Sequence, residues 1–341
     1  MPDSRSHSRG RTAALGALLA AGLVAVLLGV LGRPWSPAPS DPHATADGAA
    51  GPHLTTGGTA APLYDTWTPP AYLPAQGSVT TLTGAARIPS SAGFVPRDAS
   101  LYLPPAALVT DPPALPLVVF MMGQPGDPDP SFVAAAMDRL AAEHHGLAPI
   151  VIVADQLGSE DANPACVDSA AYGGVATYFT KDIPDWARSH LHVQPGPAAW
   201  TIAGFSNGGG CALDWGVEDP GLWGSIVSIA GESHQGSEFP DEVLQQVFGG
   251  DESAYEAAMP AAWAVQNSGR FTGHVALFAA GDEDVFFTAQ VQQSAQITEG
   301  AGFETRVFTV PGEDHVGSLP QGLLMTFGAL YPHLGLAPPA G

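Results

Sequence analysis

Short, continuously apolar runs alternate along this chain with longer stretches of helical spacing. Residues 115–121 (LPLVVFM) and 150–154 have the continuous apolar character of buried strands, and 200–205, 226–229, 275–280 and 305–310 complete a series of expected strands. Between them the spacing predicts a helix over 131–144, where Val133, Met137 and Leu140 share a stripe, and helices over 286–299 and 319–331. A further helix is expected within 174–191, interrupted near Pro184. Residues 78–85 and 100–103 are expected to open the sheet as two edge strands, paired as an antiparallel hairpin. The pattern predicts an α/β domain over 76–335, with a mainly parallel central sheet flanked by helices.

The N-terminal part follows a different rule. Residues 12–32 (TAALGALLAAGLVAVLLGVLG) carry no charge and are long enough to span a bilayer. The preceding Arg5, Arg9 and Arg11 favour a cytoplasmic N-terminus, so the rest of the chain is expected outside the membrane. Residues 1–33 therefore read as a signal-anchor, with a cleaved signal as the alternative because Ala44-Thr45-Ala46 is a passable cleavage site. Residues 34–75, rich in Pro, Gly and Ala, read as a linker. The expected location is the cell membrane with the catalytic domain outside, or the extracellular space if the signal is removed.

Charge narrows the partners. The whole chain has 11 basic and 33 acidic residues, and Arg5, Arg9, Arg11 and Arg33 precede the linker with only Asp3 to oppose them. The remainder is strongly acidic and would repel a phosphate backbone, so no nucleic-acid partner is expected. The adjacent His144 and His145 lack the spacing of a zinc site, and neither a metal nor a cofactor is expected. Cys166 and Cys211 are the two cysteines, and an exported domain permits them to form a disulfide.

The sharpest chemical signal is Gly204-Phe205-Ser206-Asn207-Gly208, a G-x-S-x-G pattern between a predicted strand and a predicted helix. A serine hydroxyl is a weak nucleophile, and a strand-to-helix bend exposes it to a base near a helix N-terminus. Gly204 and Gly208 suit such a bend because backbone segments meet there. The base is expected to be His315 in PGEDHVG, with His234 and His274 as rivals. The acid is expected to be Asp284 in Gly281-Asp282-Glu283-Asp284, with Asp282 second. Two backbone amides, of Asn207 and of Gln124 in the loop MGQPGD, are the expected oxyanion donors.

Taken with GQPGDP, NPACVDSAAYGGVATYFTKDIPDWA, GFSNGGGCALDW and FGGDESAYEAAMP, these motifs resemble the esterase-D-like branch of the α/β hydrolases. That branch includes S-formylglutathione hydrolases, enterochelin esterases and mycoloyltransferases, and the likeness covers about residues 100–335. The resemblance implies an α/β-hydrolase fold with Ser206, Asp284 and His315 as triad and Asn207 and Gln124 as oxyanion donors. Met122 stands where several members carry histidine, and Asn207 and Asp284 replace the Met and Glu usual in mycoloyltransferases. The expected function is an extracytoplasmic serine esterase acting on a small-molecule or lipid ester. The alternatives are an acyltransferase delivering to a cell-envelope hydroxyl and a non-catalytic binding module on the same scaffold.

Overall fold

The computed structural model describes residues 60–339. The apolar run 12–32 expected to anchor the chain, and linker residues 34–59, lie outside the described residues. Among the described residues no helix is long and apolar enough to cross a membrane.

Among the described residues eight strands form one sheet: β1 (Ser78–Thr81), β2 (Ser100–Leu103), β3 (Leu117–Met121), β4 (Ile150–Val153), β5 (Trp200–Phe205), β6 (Ser225–Ile229), β7 (Val275–Gly281) and β8 (Glu304–Val310). Their spatial order is β1-β2-β4-β3-β5-β6-β7-β8. β2 pairs antiparallel with both β1 and β4, and every pairing from β4 across to β8 is parallel. The sheet is therefore mixed, with its antiparallel part at one edge. β1 and β2 do pair, but the connection between them is a long loop with a single 3₁₀ turn at Gly84–Ala86, and the expected strand over 78–85 ends at Thr81. β2 to β7 are buried along their whole length, as two covered faces require. The outer β8 alternates toward exposure.

The helices α1 (Ser131–Glu143), α2 (Ile183–His190), α3 (Asn207–Glu218), α4 (Pro240–Gln246), α5 (Glu252–Ala257), α6 (Pro260–Gln266), α7 (Val285–Ala301) and α8 (Ser318–Leu330) cover the two faces and the segment between β6 and β7. Where the sequence predicts one interrupted helix over 174–191, a turn at Val175–Thr177 passes through a π-helical segment, Tyr178–Asp182, into α2. Pro184 supplies no N–H, and it stands in the first turn of α2, where none is required. Strand order, the antiparallel second strand and the crossover helices together make an α/β-hydrolase fold.

Residues 60–75, placed in the linker by their composition, lie against the domain. The Ala60 amide donates to His333 O at 3.2 Å, that of Tyr64 to Gly335 O at 3.1 Å, and Trp67 Nε1 to His145 O at 3.0 Å. Leu336 and Ala337, just past the expected end of the domain, are buried in the same core. A disulfide joins Cys166 to Cys211, with Cα atoms 5.4 Å apart, and ties the loop after β4 to the first turns of α3.

Candidate active site

Parallel strands deliver their C-terminal ends to one edge of the sheet, and the loops after β3, β5, β7 and β8 build the site there. β5 ends at Phe205, and Ser206 turns the chain with φ 54° and ψ −122°, a conformation that side chains other than glycine rarely adopt. The bend is held at both ends: Ser206 N donates to Ile229 O at 2.9 Å, and Gly210 N donates to Ser206 O at 3.0 Å. Close packing explains the flanking glycines. A Cβ at Gly204 would lie 2.2 Å from the carbonyl of Gly208, and one at Gly208 would lie 2.5 Å from Met121 O.

Ser206 Oγ lies 3.0 Å from His315 Nε2, and His315 Nδ1 lies 2.9 Å from Asp284 Oδ2. With Nδ1–H donating to the carboxylate, Nε2 is left to accept from the hydroxyl. The other carboxylate oxygen of Asp284 accepts from Phe287 N at 3.1 Å and caps α7, so the acid is anchored by the helix it begins. The imidazole is held between Phe287 and Phe205, with ring centroids 4.1 and 4.8 Å away.

The rival residues occupy other positions. Asp282 is exposed and accepts from Gly312 N at 2.7 Å, tying the acid loop to the base loop. His274 is buried before β7, at the opposite end of the strand from Asp284, and its Nε2 meets Pro220 O at 2.9 Å. His234 lies in the loop after β6 and contacts Ser233 Oγ through Nδ1 at 3.2 Å. His144 packs against Tyr331, with centroids 4.7 Å apart.

The loop after β3 runs beside the nucleophile, so that a Cβ at Gly123 would come 2.8 Å from Ser206 Cβ. Gly126 N donates to Gly123 O at 2.6 Å, closing a turn over Gln124 and Pro125. Because a planar trans peptide directs its C=O and N–H oppositely, this bond aims the Gln124 amide out of the turn. Among the described residues neither the Gln124 amide nor the Asn207 amide, at the start of α3, has a protein acceptor. Two orphan donors beside a serine hydroxyl can receive negative charge developing on a carbonyl oxygen.

Several polar residues around the site carry no motif. Asp155 and Gln156 follow β4 after Ala154, and both are buried. Asp155 holds Arg97 at 2.8 Å, and Arg97 in turn donates to Pro125 O at 3.0 Å. Gln156 Nε2 donates to Met122 O in the loop after β3 and to the Asn207 side chain. The available signal was their place, just after a buried strand at the edge where ligands bind.

Burial pushes Asp214, on α3, well above the usual carboxylate range and raises Glu232, in the loop after β6, to about 7, although the Gly236 and Ser237 amides and the Ser237 hydroxyl donate to Glu232. A carboxyl raised in the folded state binds its proton more tightly there than in the unfolded chain. Its stabilising contribution is therefore complete below the unfolded value near 4.5 and is lost as pH rises toward about 7. Buried Asp214 and Glu218 are raised as well and add to the same fall in stability, so in urea unfolding Glu232→Gln should reduce the loss between pH 4.5 and pH 8 by Glu232's own share, on the order of 2–3 kcal/mol. An equally steep slope in the variant would refute the assignment.

Residues 95–316 match the family described as "Putative esterase". An uncharacterized protein of Corynebacterium glutamicum is 36% identical over 231 residues, which cover 65% of this chain and 54% of that protein. The chain thus spans about half the length of this curated relative. The solved S-formylglutathione hydrolase of Agrobacterium tumefaciens superposes with a TM-score of 0.57 at 18% identity, covering 76% of this chain and 94% of that one. FphF, a fluorophosphonate-binding serine hydrolase of Staphylococcus aureus, superposes with a TM-score of 0.58 at 14% identity, covering 74% and 98%. These two likenesses concern the fold, whereas the family match runs from the segment before β2 through the histidine loop. The chain belongs to the Putative esterase family of hydrolases.

Proposed function

We propose that this chain is a serine esterase working outside the cytoplasm, and that it cleaves carboxylic esters through an acyl-enzyme on Ser206. The observation that carries the reading is the continuous relay from Ser206 Oγ through His315 to Asp284, with bonds of 3.0 and 2.9 Å. In this mechanism His315 Nε2 takes the hydroxyl proton as Oγ attacks the ester carbonyl. Asp284 stabilises the imidazolium, and the Gln124 and Asn207 amides receive the oxyanion. The imidazolium then returns its proton to the departing alcohol, and water attacks the acyl-enzyme by the same route. Location outside the membrane rests on the apolar run 12–32 and its arginine flank.

A fluorophosphonate probe should label the wild-type chain, and Ser206→Ala should abolish both labelling and hydrolysis of short p-nitrophenyl esters. Labelling that survives Ser206→Ala would sink the reading.

A second reading, acyl transfer to a lipid or sugar hydroxyl, draws on two exposed apolar residues that follow the relay residues in sequence. Val285 is 80% and Val316 60% exposed, next in sequence to Asp284 and His315, and a lipid acceptor would gain by covering such apolar surface. Mass spectrometry of products formed with glycolipid acceptors present distinguishes the two, because only transfer yields an acylated acceptor.

A further inference from the structure

We propose that Gln156 is a positioning residue that sets the oxyanion donors relative to one another, an inference that rests on the esterase reading above. Its side chain is 1% exposed and follows β4 in a loop that contributes no member of the relay. The carboxamide nitrogen donates twice, to Met122 O at 2.8 Å and to Asn207 Oδ1 at 2.9 Å. These acceptors belong to the two separate segments that supply the donors: Met122 precedes the Gly123–Gln124 peptide, and Asn207 begins α3. One NH₂ group thereby spans the gap between β3's loop and the nucleophile helix.

The consequence follows from chain geometry. Met122 O fixes the peptide plane before Gly123, leaving only the two soft dihedrals of Gly123 between that plane and the Gln124 amide. The turn bond from Gly126 N to Gly123 O restrains those dihedrals, and Arg97, held by buried Asp155, secures Pro125 O at the far end. Consecutive residues after β4 thus act at the two ends of one loop, Gln156 directly and Asp155 through Arg97. The Asn207 side chain has a further partner in Gln235 Oε1 at 3.3 Å, so the start of α3 is braced from two directions. Donors that must meet an oxygen present only in the transition state gain from being held before the reaction begins.

The test compares Gln156→Met, which keeps the volume and removes the donor, with Gln156→Glu, which keeps the shape. Gln156→Met should lower kcat about ten- to a hundredfold with KM little changed, less than the loss from deleting an oxyanion donor outright. Affinity for an alkyl boronic acid, which forms a tetrahedral adduct on serine, should fall in parallel with kcat/KM. In Gln156→Glu, the ratio of variant to wild-type kcat should rise as pH falls, since a protonated carboxyl regains one donor while an ionised one repels both acceptors. Should the Met variant fail to fold by circular dichroism, the Glu variant's pH-dependent ratio carries the test. Active wild type with unchanged kcat in Gln156→Met, or a pH-independent ratio in Gln156→Glu, overturns the positioning role alone. Wild type that neither turns over esters nor binds the boronic acid overturns the esterase reading and this inference with it.

Discussion

Replacing His315 by alanine should cut kcat on a short-chain ester by about 10⁴- to 10⁶-fold while the fold survives. The side chain's partners are few: it meets Ser206 Oγ and Asp284 Oδ2 through its nitrogens and packs between Phe205 and Phe287. Removing the ring leaves Ser206 with no base, and its hydroxyl reverts to a poor nucleophile. Asp284→Asn should cost about 10⁴-fold for a different reason. The amide can keep the bond from Phe287 N, yet its NH₂ facing Nδ1 favours the tautomer with the proton on the wrong nitrogen. Steady-state kinetics, with circular dichroism as the control for folding, checks both. A His315→Ala enzyme within tenfold of wild type would show that this imidazole is not the base.

The second large effect is expected from Gly204→Ala. The added methyl would sit 2.2 Å from the carbonyl carbon and oxygen of Gly208, and the colliding atoms are backbone, which cannot swing aside as a side chain can. The bend at Ser206 must open to admit it, moving Oγ away from His315. A displacement near 1 Å is enough to cost about 10²-fold in turnover, and overpacking of this kind destabilises by about 1–3 kcal/mol. Gly300, near the end of α7, is the internal control, because a methyl there has no neighbour within 4 Å. Gly300→Ala should leave turnover unchanged and hold or slightly raise stability. Urea unfolding and kinetics on the pair separate steric collision from the general effect of removing a glycine. Gly204→Ala with wild-type turnover would mean the bend is more pliable than its packing implies.

How far the sequence could be read differs from element to element. β2 and β5 match their expected spans, since Ser100–Leu103 and Trp200–Phe205 are apolar runs bounded by clear breakers. The first strand stops at Thr81, where the chain turns into a short loop and a 3₁₀ turn that composition alone does not distinguish from extended chain. The π-helical segment before α2 left no mark that periodicity could detect, because its apolar residues Tyr178 and Phe179 are buried just as a helix's would be. Residues 60–75 share the Pro- and Ala-rich composition of the linker, but their few apolar groups and amides find partners on the finished domain.

Local chemistry by itself determined the alternation of strands and helices, the bend around Ser206, and the short set of acids and histidines able to serve it. Each of these depends on neighbours within a few residues, where periodicity, glycine and charge are legible. Only the tertiary structure decided that Asp284 rather than Asp282 faces His315, that Cys166 meets Cys211, and that Gln156 bridges Met122 and Asn207. Those are encounters between residues far apart in the chain. They are set by which strands lie side by side and by where the loops at one sheet edge converge.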